Sequence, residues 1–135
     1  MDLLTRFKMV DCKPCATPFQ SRVKLTKTCQ TPAIDATLYR QLVNNLIYLT
    51  HSRIDIFFVI YVVSWFMQDT REIQWNVVKH IVRYEKGTTH LGIKYCRSSY
   101  SLVGFTNSDW AGDNDDWKST SGYVLQLSTR PLLWS

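Results

Sequence analysis

The chain has 135 residues, of which 45% are hydrophobic, 20% charged and 13% aromatic. This composition excludes an intrinsically disordered chain and fits one ordinary domain or parts of two. The formal net charge of +5 favours a polyanionic partner; Lys and Arg are in excess in residues 1–34 and 69–103, whereas residues 104–135 are acidic.

The four cysteines argue against a zinc or disulfide framework. Cys12 and Cys15 form a C-x-x-C pair, but Cys29 and Cys96 stand alone, and structural zinc needs a second pair of Cys or His ligands. We therefore expect reduced thiols in an intracellular protein. No secretory signal opens the chain. The apolar run 56–67 is shorter than the about 20 residues of a membrane-spanning helix, so we expect a buried helix and no membrane partner.

Residues 1–34 are predicted to be mainly an extended basic linker. Residues 1–9 alone have the pattern of a short helix, with Leu3, Leu4 and Phe7 on one side. Residues 10–34 contain three of the four prolines and several cations. Such a composition is typical of extended chain.

Two helices are predicted next. The first begins near Asp35, a suitable N-cap, and ends near His51. Its expected core stripe consists of Leu38, Leu42, Leu46 and Leu49. The second covers residues 55–68 and is apolar nearly all round, as expected of a helix buried on several sides. Its β-branched residues also suit a strand, but its length favours a helix.

A third helix is predicted between Asp69 and Gly87. Asp69 and Glu72 have the spacing of a capping box, and Gly87 is a natural stop. Helical geometry places Ile73, Val77, Ile81 and Tyr84 on one face.

The opposite face of this helix carries Lys79, Arg83 and Lys86, with Trp75 beside it. One interpretation is a surface that follows the phosphates of a nucleic acid. The other is a solvated basic face with Trp75 packed on a neighbouring element. The residues alone leave both open.

After Gly87 the hydrophobic period changes to two, which predicts strands. The predicted strands cover residues 90–96, 101–107, 121–128 and 131–135.

Several blocks, in order, resemble one family. Residues 104–123, GFTNSDWAGDNDDWKSTSGY, are similar to G-Y-x-D-[SA]-D-W-A-G-D-x-x-D-R-K-S-T-S-G-Y, a pattern of copia-type retrotransposon Pol polyproteins. Residues 11–18, DCKPCATP, resemble D-C-K-P-x-x-T-P of the same family. Residues 39–56 resemble Y-R-[QS]-x-V-G-x-L-x-Y-L-x-x-T-R-P-D-I, and residues 71–88 resemble R-E-x-x-W-x-x-x-K-x-I-x-R-Y-x-K-G-T. The chain thus resembles the C-terminal part of a reverse transcriptase joined to the start of a ribonuclease H domain.

This resemblance implies an α+β fold. A linker over residues 1–34 would follow an absent polymerase palm, and a three-helix thumb or connection-like segment would cover residues 35–88. Residues 89–135 would form an incomplete antiparallel ribonuclease H-like β-meander.

The resemblance also implies a degenerate catalytic site. Asn107 stands where the family has a metal-binding Asp, and an amide offers Mg²⁺ a neutral oxygen instead of the anionic one it prefers. Asp109 is the remaining candidate metal ligand, and Lys118 is a candidate phosphate contact. Trp117 replaces the family's Arg. Mg²⁺ is the family's cofactor, but we expect none to bind tightly here.

Two further departures lie in the helices: Asn44 stands for Gly, where it is expected to crowd a packing contact, and Ile54 stands for Pro, which removes a helix-start signal.

The expected function is that of a truncated, catalytically inactive fragment of a reverse transcriptase/ribonuclease H, whose ancestral role is RNA-directed DNA synthesis. The expected partners are an RNA/DNA hybrid or duplex, held weakly, and the remaining Pol segments. Two alternatives stay open: metal-dependent ribonuclease H activity when other Pol segments complete the site, and a non-functional relic that does not fold alone.

Overall fold

The protein is described by a computed structural model that covers residues 3–20, 25, 32–94, 101–108, 119, 121–128 and 130–134. It comprises a helical unit, residues 1–91, and a sheet unit, residues 92–135. The helices are α1 (Leu3–Arg6), α2 (Ala36–Leu49), α3 (Phe57–Ser64) and α4 (Glu72–Gly87), and a 3₁₀ turn, Ile54–Ile56, leads into α3. The strands are β1 (Leu102–Ser108), β2 (Ser121–Leu127) and β3 (Arg130–Trp134). The predicted α+β class is confirmed.

Helix α2 begins where the sequence predicts. The Asp35 Oδ1 atom accepts a hydrogen bond from the Thr37 backbone N–H at 2.8 Å, which satisfies one of the free donors of the first turn. The helix ends at Leu49, two residues before the predicted end at His51.

The core of the helical unit is built from one face each of α2, α3 and α4. Its buried hydrophobic residues include Tyr39, Leu42, Val43, Leu46, Ile56, Val59, Ile60, Val63, Val77, Val78, Ile81, Val82 and Tyr84. The buried Tyr39 hydroxyl donates to the Val63 carbonyl at 2.7 Å, which ties α2 to α3. Burial of that hydroxyl raises the pKa of Tyr39.

The predicted stripe of α2 is wrong at one end. Leu38 is 46% exposed, whereas Tyr39 and Val43 are fully buried. Because Tyr39 packs inward and bonds α3, the helix is rotated so that Leu38 faces outward. Asn44 is exposed as well, so it crowds no packing contact.

Helix α3 is shorter and less enclosed than predicted. The 3₁₀ turn Ile54–Ile56 precedes it and it ends at Ser64, so a helical turn starts at Ile54 even without proline. Phe58, Tyr61 and Trp65 are all more than one third exposed, so this helix has one aromatic face outside the core.

Helix α4 begins later than predicted, because Arg71 and not Asp69 is its N-cap. The Arg71 N–H donates to Gln74 Oε1 at 3.0 Å, whereas the Asp69 carboxylate pairs with the Arg71 side chain. The predicted core face is correct at Val77, Ile81 and Tyr84.

The sheet unit is an antiparallel meander in the order β1-β2-β3. Residue Ser128, which has a positive φ of 61°, lies between β2 and β3. All seven residues of β1 are exposed. The predicted strand 90–96 is wrong for residues 90–94, which form no strand, and its last two residues lie outside the described part of the chain.

Among the described residues no helix is both long enough and apolar enough to cross a bilayer.

Candidate nucleic-acid interface

The N-terminal segment, residues 7–20, lies along α4. Within it Met9, Cys15 and Phe19 pack against the core of the helical unit, as does Leu25 farther on. The described residues 3–20 thus belong to the helical unit, whereas the role of residues 1–34 as a linker after a polymerase palm stays a prediction.

Side chains on one edge of α4 donate hydrogen bonds to the backbone carbonyls of this segment. The Lys86 ammonium group donates to the carbonyls of Val10 and Cys12, the latter at 2.7 Å. One turn earlier, Arg83 Nε donates to the Lys13 carbonyl at 2.7 Å. Because Lys86 and Arg83 lie three residues apart on the same edge, together they bind three carbonyls within residues 10–13.

The segment ends its contact with α4 at His80. The His80 Nε2 atom lies 2.8 Å from the Thr17 carbonyl, and 3.5 Å from the Cys15 sulfur. The Cys15 thiol also donates to the His80 carbonyl at 3.3 Å. Burial raises the pKa of the Cys15 thiol, so it is protonated at neutral pH and acts here as a packing and hydrogen-bonding group.

Gly87 allows the close approach of this segment to the end of α4. A Cβ atom on Gly87 would lie 3.0 Å from the Pro14 Cβ atom and 3.5 Å from the Cys15 carbonyl oxygen. The residue has a negative φ. Its role in the structure is therefore space for the segment rather than the left-handed helix end that the sequence suggests.

Trp75 lies between the core and the side of α4 that carries Lys79. Its ring centroid is 6.5 Å from that of Tyr39, and the Lys79 Nζ atom lies 5.5 Å from it, within range of a cation–π contact. Trp75 is partly buried against α2. Trp75 thus packs on a neighbouring element, whereas the nucleic-acid interpretation of the nearby cations stays a prediction.

The cationic edge of α4 comprises Lys79, Arg83 and Lys86. Among the described residues no carboxylate forms an ion pair with any of the three. Carbonyl oxygens bind the N–H groups of Arg83 and Lys86 but carry no net charge. Within the part of the chain that the structure describes, no paired carboxylate offsets the positive potential of this edge.

A second charged cluster, missed by the sequence analysis, joins the start of α3 to the end of α4. The Arg53 guanidinium, 95% buried, binds both carboxylate oxygens of Asp55 at 3.0 and 2.8 Å, and Glu85 Oε2 at 2.9 Å. Its Nη atoms also donate to the carbonyl and hydroxyl of Thr88 at 3.1 and 2.8 Å. The Tyr84 hydroxyl donates to Asp55 Oδ2 at 2.8 Å.

The electrostatics of this cluster follow from its burial. The hydrogen bond from Arg53 holds the pKa of Asp55 below its usual value, whereas desolvation raises the pKa of Glu85. Glu85 Oε1 is buried and has no hydrogen-bond partner among the described residues. These groups are committed to one another, so the cluster is structural. The sequence signal for this cluster is the cation Arg53, which only Ile54 separates from the acid Asp55.

The predicted catalytic end of the chain is only partly described. Asn107 lies on β1, is exposed, and pairs with Gly122 of β2. Asp109 and Lys118 lie outside the described residues, so their predicted roles stay predictions. Within the part of the chain that the structure describes, no three His, Cys, Asp or Glu side chains lie close enough to hold a metal ion. Asn107 by itself supplies one neutral oxygen, which does not fit Mg²⁺.

Comparisons with known proteins identify the family. The chain is 38% identical over 136 residues to the retrovirus-related Pol polyprotein from transposon RE2 of Arabidopsis thaliana, and equally to that from transposon RE1. It is 34% identical over 139 residues to the Pol polyprotein from transposon TNT 1-94 of Nicotiana tabacum. These alignments cover 100%, 100% and 98% of this chain.

The chain spans only 9% of the length of the RE2 and RE1 relatives and 10% of the TNT 1-94 relative. No protein-family profile matches the chain, and no solved structure matches it. The sequence blocks that resemble copia-type Pol and the end-to-end similarity to three such proteins agree, and the chain belongs to the Pol polyproteins of copia-type retrotransposons.

Proposed function

We propose that this chain is a nucleic-acid-binding part of a retrotransposon Pol polyprotein and has no catalytic activity of its own. The observation that carries the proposal is the cationic edge of α4, whose three charges have no carboxylate partner among the described residues. Phosphates compete well with backbone carbonyls for such cations, because a cation binds an anionic oxygen more strongly than a neutral carbonyl oxygen. The expected ligand is an RNA/DNA hybrid or duplex, as the resemblance to a reverse transcriptase/ribonuclease H implies.

The absence of catalysis is proposed from Asn107. At this position the family pattern has an Asp, and a neutral amide on an exposed strand binds Mg²⁺ poorly. Asp109 is the remaining candidate ligand that the family pattern implies, and the family's other catalytic carboxylates would have to come from other Pol segments. The antiparallel order β1-β2-β3 suits the start of a ribonuclease H-like sheet, so we propose that the sheet unit is retained as scaffold rather than as an active site.

The proposal is tested by fluorescence anisotropy with a labelled RNA/DNA hybrid over a salt series. In the wild-type chain log K falls linearly with log salt concentration. The triple variant Lys79→Gln, Arg83→Gln, Lys86→Gln is expected to reduce that slope by about 2 to 3 and to weaken binding at all salt concentrations. The hybrid, recovered after incubation with Mg²⁺, is expected to contain intact RNA on a denaturing gel.

Two controls separate charge from folding. The variant Arg6→Gln, Lys8→Gln, Arg40→Gln removes the same charge elsewhere on the helical unit and should bind nearly as the wild type does. The pair Arg83→Lys, Lys86→Arg keeps the charge while changing the hydrogen-bonding geometry, and should retain the slope. Equal weakening by both triple variants would show that binding follows net charge alone, and cleaved RNA would refute the inactivity.

A further inference from the structure

A cavity of about 740 Å³ lies between α4 and the N-terminal segment, and we call it the α4 cavity. Its volume falls within the range of about 300–1,000 Å³ typical of small-molecule sites. Two of its lining residues, Lys79 and Arg83, belong to the cationic edge that the proposed function uses. The α4 cavity therefore opens where a bound phosphate chain would pass.

The charged part of the α4 cavity favours an anion. The cationic side chains of Lys79 and Arg83 line it, and among the described residues no carboxylate does. The Arg83 Nε atom is held by the Lys13 carbonyl, which orients the guanidinium, while no described residue accepts a hydrogen bond from its Nη atoms. Two parallel N–H groups of an oriented guanidinium match the oxygens of a phosphate.

The rest of the lining fits a flat, partly polar ring. Met9 and Phe19 contribute apolar surface from the N-terminal segment, and Ile73 and Val77 contribute it from α4. The side-chain amides of Gln20 and Asn76 also line the α4 cavity. An amide both donates and accepts hydrogen bonds, as the edge of a nucleobase requires.

We propose that the α4 cavity takes up one unpaired nucleotide, with its base between the apolar walls and its phosphate on Arg83 and Lys79. This inference rests on the proposed function and adds to it the place where a base is bound. Paired bases are stacked inside a duplex and cannot enter a cavity without being pulled out of it. The chain therefore prefers a strand with an unpaired end to a blunt duplex.

The test compares three labelled DNA hairpins at one salt concentration by fluorescence anisotropy. The first has a blunt end, the second carries a three-nucleotide overhang, and the third carries the same overhang without its bases. The third has the phosphates of the second, so the difference between them measures base uptake alone. The base-bearing overhang is expected to bind on the order of tenfold more tightly than either of the others.

A matched pair of variants locates the effect. Ile73→Trp fills the α4 cavity and is expected to remove the preference for the overhang while keeping the salt-dependent binding of the blunt hairpin. Ile47→Trp makes the same change at an exposed position of α2 and should keep the preference. Asn76→Leu is a second cavity variant, at an exposed helix position. It is used if circular dichroism shows that Ile73→Trp does not fold.

Equal affinities for the base-bearing and the base-free overhangs would overturn the inference and leave the proposed function standing. A preference that survives in folded Ile73→Trp and Asn76→Leu would overturn the location in the α4 cavity. If the wild-type chain bound none of the three hairpins, the inference and the proposed function would both be overturned.

Discussion

Arg53 shows how one residue connects distant parts of the helical unit. It is buried, and its charge is acceptable there because Asp55, Glu85 and Thr88 take up its N–H groups. A buried guanidinium without partners would be strongly unfavourable. The carboxylates of Asp55 and Glu85 would likewise be unfavourable in this site if Arg53 were removed. Asp69 and Arg71 form a pair with the same separation in sequence, but that carboxylate is 61% exposed.

These two pairs lead to a prediction about stability. Arg53→Met should lower the free energy of unfolding by about 2–4 kcal/mol, because it leaves Glu85 and Asp55 without their cation in a poorly solvated site. Arg71→Met should lower it by less than about 1 kcal/mol, as is usual for a solvated pair. Urea denaturation followed by circular dichroism measures both. Similar losses in the two variants would contradict the structural role assigned to the Arg53 cluster.

At the scale of the element, α2 illustrates how rotation about a helix axis is decided. Leu38, Leu42 and Leu46 form one stripe with a spacing of four. This spacing does not by itself decide which of the neighbouring faces of α2 points inward. The Tyr39 hydroxyl bond to the Val63 carbonyl and the contact of Tyr39 with Trp75 select the face centred on Tyr39, Leu42 and Val43. Leu38 is left outside.

Two alanine substitutions in α2 test this rotation. Leu42→Ala should cost about 2–5 kcal/mol of unfolding free energy, because it opens a cavity in a fully buried site. Leu38→Ala should change the stability by less than about 0.5 kcal/mol, because that side chain is 46% exposed. Thermal or urea melts of the two variants give the comparison. A larger loss for Leu38→Ala would mean that the predicted stripe is the true core face.

At the scale of the whole molecule, burial is unevenly divided. Every residue of the described hydrophobic core lies in the helical unit, whereas β1 is exposed along its full length. Hydrophobic burial is the main favourable contribution to folding, so we expect the helical unit to be the more stable of the two. The described residues of β2 and β3 are at most half-buried, and a small sheet needs a well-covered hydrophobic face to be stable by itself.

Hydrogen exchange read by mass spectrometry tests this division in the intact chain. Amides of α2 and α4 should exchange roughly a hundredfold more slowly than those of β1, because β1 can open without exposing a buried core. Uniform protection across both units would contradict the prediction and would mean that they unfold as one cooperative body. Rapid exchange everywhere would favour the alternative of a relic that does not fold alone.

The sequence predicts local structure well where local signals are strong. Asp35 marks the start of α2 correctly because an N-cap carboxylate acts on the next few N–H groups, and the period of two after Gly87 marks β1, β2 and β3. It is misled at Asp69, whose carboxylate pairs with Arg71 instead of capping α4. It also misjudges residues 90–94, since a short alternating pattern needs a partner strand to become a strand.

By itself, the sequence determined the family, the class of fold and the cationic edge of α4, because motif order, period and helical spacing are properties of the chain alone. Tertiary structure decided what surrounds these features. The N-terminal segment became a partner of α4, Arg53 became a buried link, and the α4 cavity formed between elements about sixty residues apart along the chain. Contacts of this kind depend on where a distant segment packs, which no local pattern encodes.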